Sequence, residues 1–250
     1  MLVGKGPSSL YMYNALKEEF EIDTVIIEDQ ADQMKFLKRR FKRLGFFKVL
    51  GQILFQLTIP KLLKLVSKRR RSEIIQQYNL SIEAIPESIV KNVSSVNSEC
   101  CKNLLIDINP SIIIVNGTRI ISKKVLSCVD STFINTHVGI TPKYRGVYGG
   151  YWAVANNDLN NFGTTVHLVD PGIDTGDILY QGRISIKRND NFSTYPLLQI
   201  GIGTNLIKKA LRDALAGDLT PQSALLKESI LWYHPTLWYY LFMRVYRNVK

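Results

Sequence analysis

The chain opens with "MLVGKGPSSLYMYNALKEEFEIDTVIIE" (Met1–Glu28), and this stretch decides the fold. A short apolar run is followed by a glycine-containing loop, a helical segment and a second apolar run that is bounded by acidic residues. Strand, helix and strand in this order form a βαβ unit with a right-handed crossover, and apolar strands are typical of a buried parallel sheet. The sequence therefore predicts an α/β fold with a Rossmann-like, mostly parallel sheet flanked by helices.

The same alternation of strands and helices resumes in the second half of the chain. A long amphipathic helix is predicted to end at Gly217. Between the two halves, residues 32–78 are basic and helical in pattern, which indicates an insertion on one side of the core. We predict a main domain over residues 1–217 and an aromatic C-terminal tail over 218–250. The later strands are predicted at "PSIIIVNG" (110–117), "STFIN" (131–135), "FGTTVHLVD" (162–170) and "DILYQGRISIK" (177–187).

The charge of the chain is strongly positive. Its 250 residues carry a formal net charge of +11, and the excess is concentrated in Lys35–Lys48 and Ser67–Glu73. This balance predicts an anionic partner, although a solvated helical face explains such runs equally well. No nucleic-acid-binding motif accompanies them, so we expect no nucleic-acid partner. Peripheral contact with a membrane through the basic helices stays open.

The cysteines and the apolar runs bear on location and assembly. Cys100, Cys101 and Cys128 show no metal-binding spacing and predict free thiols in a reducing cytoplasm, with no metal. The N-terminus lacks the order of regions typical of a signal peptide, so we expect a cytoplasmic protein. The longest apolar run, 46–66, is interrupted by lysines and a proline and is not predicted to span a membrane. We expect a homodimer that buries this apolar run or the aromatic tail.

The leading candidate for chemistry is the segment "INTHVGITPKYRG" (Ile134–Gly146). Asn135 and His137 lie at the C-terminal end of a predicted parallel strand, where such folds place ligands. Residues two apart in an extended segment point to the same side, so both side chains can face one substrate atom. An amide donor and an imidazole suit the stabilisation of an oxyanion and the transfer of a proton.

A carboxylate beside the imidazole would complete such a site. The glycine-rich loop "DPGIDTGDI" offers Asp170, Asp174 and Asp177, and the residues alone leave the choice open. A neighbouring carboxylate raises the pKa of a histidine and can accept a proton from an attacking amine. His167 and His234 are expected to be structural. The loop "GKGPSS" is either a phosphate site at a helix N-terminus or a plain tight turn.

Together, "INTHVGITPKYRG" and "FGTTVHLVDPGIDTGDILYQ" resemble the folate-dependent formyltransferase family, which includes glycinamide ribonucleotide, methionyl-tRNA and nucleotide-sugar formyltransferases. The resemblance covers residues 95–185 and, more loosely, the N-terminal βαβ unit. It implies that Asn135, His137 and Asp174 are catalytic, with Asp174 keeping His137 charged. It also implies that the donor is 10-formyltetrahydrofolate and that no metal is needed. The implied folate-binding residues are Arg119, Ile120, Ile121, Asp170 and Gly172.

The acceptor is indicated by "RGVYGGYW" (Arg145–Trp152), which looks like the nucleotide-sugar branch. The resemblance implies N-formylation of a nucleotide-linked deoxy-amino sugar, as in lipopolysaccharide or O-antigen biosynthesis. We do not expect the C-terminal β-barrel of a tRNA-directed enzyme. Glycinamide ribonucleotide is the alternative acceptor, and a non-enzymatic membrane- or nucleic-acid-binding module is the alternative from another class. Trp152 fits a sugar pocket and the core equally well. The candidate acceptor-binding residues are Gly4, Gly6, Ser8, Ser9, Tyr148, Gly149, Tyr151 and Trp152.

Overall fold

The computed structural model describes residues 1–30, 33–224 and 228–250, and of residues 33–36 and 39 it describes the backbone alone. Asp32, where the helical insertion is predicted to begin, lies outside the described residues. The strands are β1 (Leu2–Gly4), β2 (Val25–Glu28), β3 (Val90–Val93), β4 (Ile112–Asn116), β5 (Thr132–His137), β6 (Arg145–Gly146), β7 (Gly163–Leu168), β8 (Ile178–Arg183) and β9 (Leu231–Trp232). The α-helices are α1 (Pro7–Leu16), α2 (Gln33–Leu44), α3 (Phe46–Val66), α4 (Lys68–Gln77), α5 (Glu99–Ile108), α6 (Lys123–Leu126), α7 (Gly149–Ala155), α8 (Tyr195–Ala216) and α9 (Leu237–Tyr246).

Seven strands form the central sheet, in the order β3-β2-β1-β4-β5-β7-β8. The first five run parallel, and β7 and β8 are added antiparallel at one edge. This confirms the predicted α/β fold with a mostly parallel sheet. The strand order reverses between β1 and β4, so a crevice opens beyond the carboxyl ends of these strands, where open α/β sheets bind ligands.

Alternation along each strand sends apolar side chains to both faces of the sheet. In β4, Ile113 and Val115 pack under α5 and α6, whereas Ile114 packs under α1 and α8. Burial on both faces explains why the strands read as continuous apolar runs. The long helix α8 ends at Gly217, whose φ of 76° is the left-handed conformation that favours glycine after a helix.

The basic insertion is folded against the domain as three helices, α2 to α4. Its anchor is Arg70, which is buried and forms an ion pair with Asp190 at 2.8 Å. The segment after Gly217 returns to the same domain, since β9 pairs in parallel with β6 and α9 packs against α3. Phe55 of α3 and Tyr240 of α9 belong to one aromatic core, with ring centroids 5.3 Å apart.

Candidate active site

A cavity of 490 Å³ lies at the carboxyl edge of the sheet, beyond the ends of β4 and β5. Both residues singled out at the end of β5, Asn135 and His137, line it. The antiparallel partner β7 and the loop that follows it close one side. Its lining is Ser8, Met12, Val115, Asn116, Gly117, Thr118, Arg119, Ile120, Ile121, Asn135, Thr136, His137, Val138, Gly146, Val147, His167, Val169, Asp170, Gly172, Ile173, Asp174, Pro196 and Ile200.

His137 is held through both ring nitrogens. Its Nε2 donates to the carbonyl oxygen of Tyr144 at 2.7 Å, and its Nδ1 lies 3.3 Å from the carboxylate of Asp174. Gly139 makes this packing possible, since a β-carbon there would come within 2.7 Å of His137 Nε2 and 2.3 Å of the Tyr144 carbonyl. The imidazole is 6% exposed, so its orientation is fixed by these contacts and the surrounding packing.

Of the three candidate aspartates, the fold brings Asp174 to the histidine. Its backbone has a φ of 52°, a left-handed conformation that aspartate tolerates better than most residues. The N–H of Gly146 donates to its carboxylate at 2.9 Å. Asp170 lines the cavity and instead orders the loop, accepting from the hydroxyl of Thr175 at 2.8 Å. Asp177 is exposed and does not line the cavity.

Asn135 is oriented by His167, a residue that sequence reasoning assigned only a structural role. The two residues lie opposite each other in the β5–β7 pair. His167 Nδ1 donates to the carbonyl of Leu168 at 2.7 Å, which leaves Nε2 to accept from Asn135 Nδ2 at 3.1 Å. An amide nitrogen has two donors, so this bond fixes the side chain while leaving its second N–H to the cavity.

Burial and charge set the protonation of the His137–Asp174 pair. Burial lowers the pKa of His137 below its ordinary value, and the carboxylate of Asp174 and the carbonyl of Tyr144 oppose that shift without reversing it. Burial alone would raise the pKa of Asp174, but His137, His167 and the N–H of Gly146 lower it to about 2. The carboxylate is therefore ionised near neutral pH. Burial of the imidazole and the charge of Asp174 thus act on the pKa of His137 in opposite directions.

The wall predicted to bind folate lies across the cavity from these groups. Arg119, Ile120 and Ile121 all line the cavity, as do Asp170 and Gly172 on the opposite loop. The Arg119 side chain is drawn away from the cavity to Glu28, with Nη1 3.0 Å from the carboxylate, and its backbone N–H donates to the same group at 2.8 Å. The buried carboxylate of Glu28 thus fixes the shape of this wall.

Most of the predicted acceptor residues lie elsewhere. Ser8 lines the cavity and accepts from Asn116 Nδ2 at 3.3 Å. Tyr151 and Trp152 are 1% and 9% exposed and belong to the aromatic core, where Trp152 stacks on Trp232. The helix α7 turns these rings inward because α3 and α9 cover it. The remaining predicted residues, none of which lines the cavity, are Gly4, Gly6, Ser9, Tyr148 and Gly149.

These five have local structural roles. Gly4 lies against the Gly117 carbonyl, and the Ser9 hydroxyl donates to the Gly4 carbonyl at 2.6 Å. Tyr148 packs its ring on Phe192, with centroids 4.4 Å apart, and Gly149 is buried. Gly6 is exposed and precedes α1, and its carbonyl accepts from the Ser9 N–H at 3.2 Å.

Sequence reasoning missed His167, Asn116 and Arg145 at the site. Asn116 is visible in the sequence as a polar residue that ends a buried strand. Arg145 donates to the carbonyl of Ile173 at 2.8 Å and so holds the loop that carries Asp174. The described residues contain no group of three His, Cys, Asp or Glu side chains placed to hold a metal ion.

Comparison with protein families identifies residues 57–196, more than half of the chain, as a match to the family described as Formyl transferase. A methionyl-tRNA formyltransferase of Caldanaerobacter subterraneus subsp. tengcongensis is 30% identical over 55% of this chain and 42% of its own length. Another, from Clostridium acetobutylicum, is 27% identical over 67% of this chain and 59% of its own. The chain thus spans roughly half the length of the curated relatives that it matches.

Solved structures share the fold at low sequence identity. A sugar N-formyltransferase from Shewanella sp. FDAARGOS_354 has a TM-score of 0.55 and 17% identity, and the match covers 91% of this chain and 74% of that one. A sugar 3N-formyltransferase solved with dTDP and 5-N-formyl-THF has a TM-score of 0.54 and 18% identity, covering 92% and 68%. A phosphoribosylglycinamide formyltransferase from Anaplasma phagocytophilum gives 0.54 and 15%, covering 93% and 98%.

Proposed function

Since the chain belongs to the formyl transferase family, we propose that it transfers the formyl group of 10-formyltetrahydrofolate to the amine of a nucleotide-linked deoxy-amino sugar. The observation that carries this proposal is the meeting of Asn135, His137 and Asp174 at one cavity. An oriented amide donor, an imidazole and an ionised carboxylate are the groups that acyl transfer to an amine requires.

The cavity suits a folate donor. Its 490 Å³ lies within the range of roughly 300–1,000 Å³ that is typical of small-molecule sites. Apolar side chains such as Val115, Ile121 and Val169 supply flat contact for a ring, and the backbone of residues 117–121 supplies polar groups at the rim. The bound donor would bring an activated formyl group, so the chain itself needs only to position it and handle charge and a proton.

Asn135 stabilises negative charge in this scheme. One N–H of its amide is bonded to His167, and the other is free to donate to the formyl oxygen as charge develops there. Because His167 holds the amide before the donor binds, little reorganisation is needed during the reaction. A donor of this kind in a buried site lowers the barrier by about 3 kcal/mol.

His137 and Asp174 form the proton acceptor. The imidazole Nδ1 lies 3.3 Å from the ionised carboxylate, close enough to share a proton with it. When the acceptor amine adds to the formyl carbon, its proton passes to this pair. The bond between the formyl carbon and the folate nitrogen then breaks, and that nitrogen takes a proton as tetrahydrofolate leaves. In its protonated form the imidazole has an acceptor at each nitrogen, Asp174 on one side and the Tyr144 carbonyl on the other.

The sugar acceptor rests on two kinds of support. Sugar N-formyltransferases are among the solved structures that share the fold, and the chain is basic, which suits a pyrophosphate-bearing acceptor. A second candidate acceptor is charged methionyl-tRNA, because the curated relatives at 27–30% identity are methionyl-tRNA formyltransferases. The basic insertion would also suit a polyanion.

The test is an acceptor panel with 10-formyltetrahydrofolate as donor. The panel holds nucleotide-linked amino sugars, glycinamide ribonucleotide and methionyl-tRNA, and mass spectrometry measures the gain of one formyl group. We expect formylation of an amino sugar. Formylation of methionyl-tRNA or glycinamide ribonucleotide instead would overturn the acceptor while retaining the chemistry. No formylation of any acceptor, with no thermal stabilisation by a folate analogue, would overturn the activity itself.

Three further predictions extend this function. We propose a cytoplasmic enzyme, a product that serves lipopolysaccharide or O-antigen synthesis, and a homodimer in solution. Small-angle scattering over a concentration series measures the last of these, and a monomer at the highest concentration would contradict it.

A further inference from the structure

Most of the exposed apolar surface is gathered on two helices. Of eighteen large hydrophobic side chains that are exposed in the described residues, twelve lie on α3 and α9. We call this surface the α3–α9 face. Its members are Phe46, Phe47, Leu54, Leu57, Leu62, Leu65, Val66, Trp238, Leu241, Phe242, Val245 and Tyr246. A surface of this kind, contiguous and apolar, marks an interaction site.

Each helix presents one side to the domain and the other to solvent. In α9, Tyr240 and Met243 are buried, whereas Leu241 and Val245 on the opposite side are exposed. In α3, a stripe at helical spacing faces the core, and the exposed residues other than the C-terminal Val66 lie outside that stripe. That inward stripe is Val49, Gln52, Phe55, Ile59 and Leu63.

The two helices form one continuous surface. The ring of Trp238 lies against Gly51, where a β-carbon would come within 2.2 Å of it. Phe47, Trp238 and Phe242 line one open concavity between the start of α3 and α9. Aromatic side chains from both helices therefore meet on the same outward side.

By length and composition, α3 is the one described helix that could cross a membrane. The stripe of α3 that packs against the domain excludes a membrane-spanning orientation of this helix in this fold. Gln52 is fully buried, and its Nε2 donates to the carbonyl of His234 at 2.6 Å. Phe55 packs edge-on against Phe192 of the main domain, with centroids 4.8 Å apart. A helix held along one side by protein can meet lipid only along the other, lying in the plane of the membrane surface.

Exposed lysines lie beside the apolar surface. Between Gln33 and Ser72 the sequence contains thirteen of the chain's 32 Lys and Arg residues and no Asp or Glu. At 100° per residue, Lys64 borders the exposed side of α3 and Lys61 lies within it, while Lys48 follows Phe47 in the first turn. All three lysines are exposed. Long lysine side chains can extend past apolar surface to reach anionic groups.

We propose that the α3–α9 face docks on the surface of an anionic lipid bilayer, with both helices in the plane of the membrane and their lysines at the headgroups. Apolar side chains, an exposed tryptophan and a lysine border are the composition of interfacial helices. A second copy fits this face less well, because a two-fold interface would place the same basic border against itself, and the homodimer proposed above would then form through another surface. Nucleic acid would match the lysines and leave the apolar centre uncovered. The binding proposed here does not rest on the proposed activity.

The test is flotation of the full chain with phosphatidylcholine vesicles that contain or lack phosphatidylglycerol. We expect binding to the anionic vesicles, weakened at high salt because the screening length falls to about 3 Å at 1 M. The variant Phe47→Ser, and separately Phe242→Ser, should weaken binding by about tenfold or more. Ile82→Ser, at a side chain 64% exposed outside this face, is the matched control and should bind as the wild type does.

Three results would overturn the proposal. One is the absence of binding to anionic vesicles by the wild type. Another is equal binding by Phe47→Ser, Phe242→Ser and the wild type. The third is a wild-type dimer, seen by scattering, that the Phe47→Ser substitution dissociates and that anionic vesicles leave intact. The face would then belong to a second copy.

A second measurement needs no variant that could fail to fold. The chain has three tryptophans, and Trp238 is 47% exposed whereas Trp152 is 9% exposed and Trp232 is half-buried. Anionic vesicles of brominated lipid should quench part of the wild-type fluorescence, and Trp238→Phe should remove the quenched part. Quenching that persists in Trp238→Phe, or no quenching at all, would contradict docking through this face.

Discussion

At the carboxyl edge of the sheet, ionisable side chains are buried and bonded to one another, whereas on the α3–α9 face apolar side chains are exposed beside lysines. His137 and Asp174 have partners within the chain, because a buried charge without one is costly. Phe47 and Trp238 have too few packing partners within the chain and stay largely exposed. Burying exposed apolar area is favourable. The groups at the sheet edge therefore satisfy one another and need only substrates. The α3–α9 face needs a partner surface to cover it.

The largest expected effect separates the two regions. Asn135→Ala should reduce the single-turnover rate of formyl transfer roughly a hundredfold or more, because a buried donor to the developing charge is lost. Vesicle binding should be unchanged. Rapid-quench kinetics with 10-formyltetrahydrofolate measure the first, and flotation the second. Asn92→Ala, at an exposed asparagine outside the cavity, is the control, and a loss in that variant as large as in Asn135→Ala would break the comparison.

The next effect concerns His234, whose backbone carbonyl accepts a hydrogen bond from Gln52 of α3. Its Nδ1 is buried without a partner, and burial, with the charge of Arg40, lowers its pKa from 6.5 to about 4. The unfolded chain therefore binds more protons between these pH values, so stability falls as the pH falls through this window, by up to roughly 3 kcal/mol. His234→Phe should flatten this part of the pH dependence.

Urea unfolding at a series of pH values measures that difference. His137, whose pKa is also lowered by burial, contributes in the same direction in both proteins and cancels in the comparison. If the free energy of unfolding depends on pH in the same way in the wild type and in His234→Phe, the pKa of His234 is not lowered as the structure indicates.

The smallest expected effect tests whether His167 orients Asn135 at the sheet edge. His167→Leu removes the acceptor that orients Asn135 and should lower kcat by roughly tenfold, the worth of about one hydrogen bond, with little change in KM for the folate. His167→Gln, which retains an acceptor, should restore part of the rate. A merely structural role would instead change thermal stability with no rescue of kcat by glutamine.

The sequence predicts the sheet and the position of the catalytic pair because both follow local rules. Apolar runs identify β1, β2, β4 and β5, and parallel strands must end at the same edge, so Asn135 and His137 could be placed before the fold was known. The choice of Asp174 required the family resemblance, since three aspartates share one loop. His167 escaped because its pairing with Asn135 depends on the register of an antiparallel strand, which the sequence does not show.

Non-local packing explains the remaining differences. Tyr151 and Trp152 follow directly after a catalytic segment, and the sequence shows nothing of the helices that cover them. The α3–α9 face has the same origin, since residues nearly two hundred positions apart meet there. The basic runs and aromatic tail were visible separately, and the packing of Trp238 on Gly51 makes them one surface.

The most direct test is the rate of formyl transfer, followed by mass spectrometry across the acceptor panel without lipid, for the wild type, Asn135→Ala and Phe47→Ser. Wild type and Phe47→Ser should form product at the same rate, and Asn135→Ala should be slower by about a hundredfold or more. Equal rates in all three proteins would contradict the assignment of catalysis to the sheet edge, and so would a loss confined to Phe47→Ser.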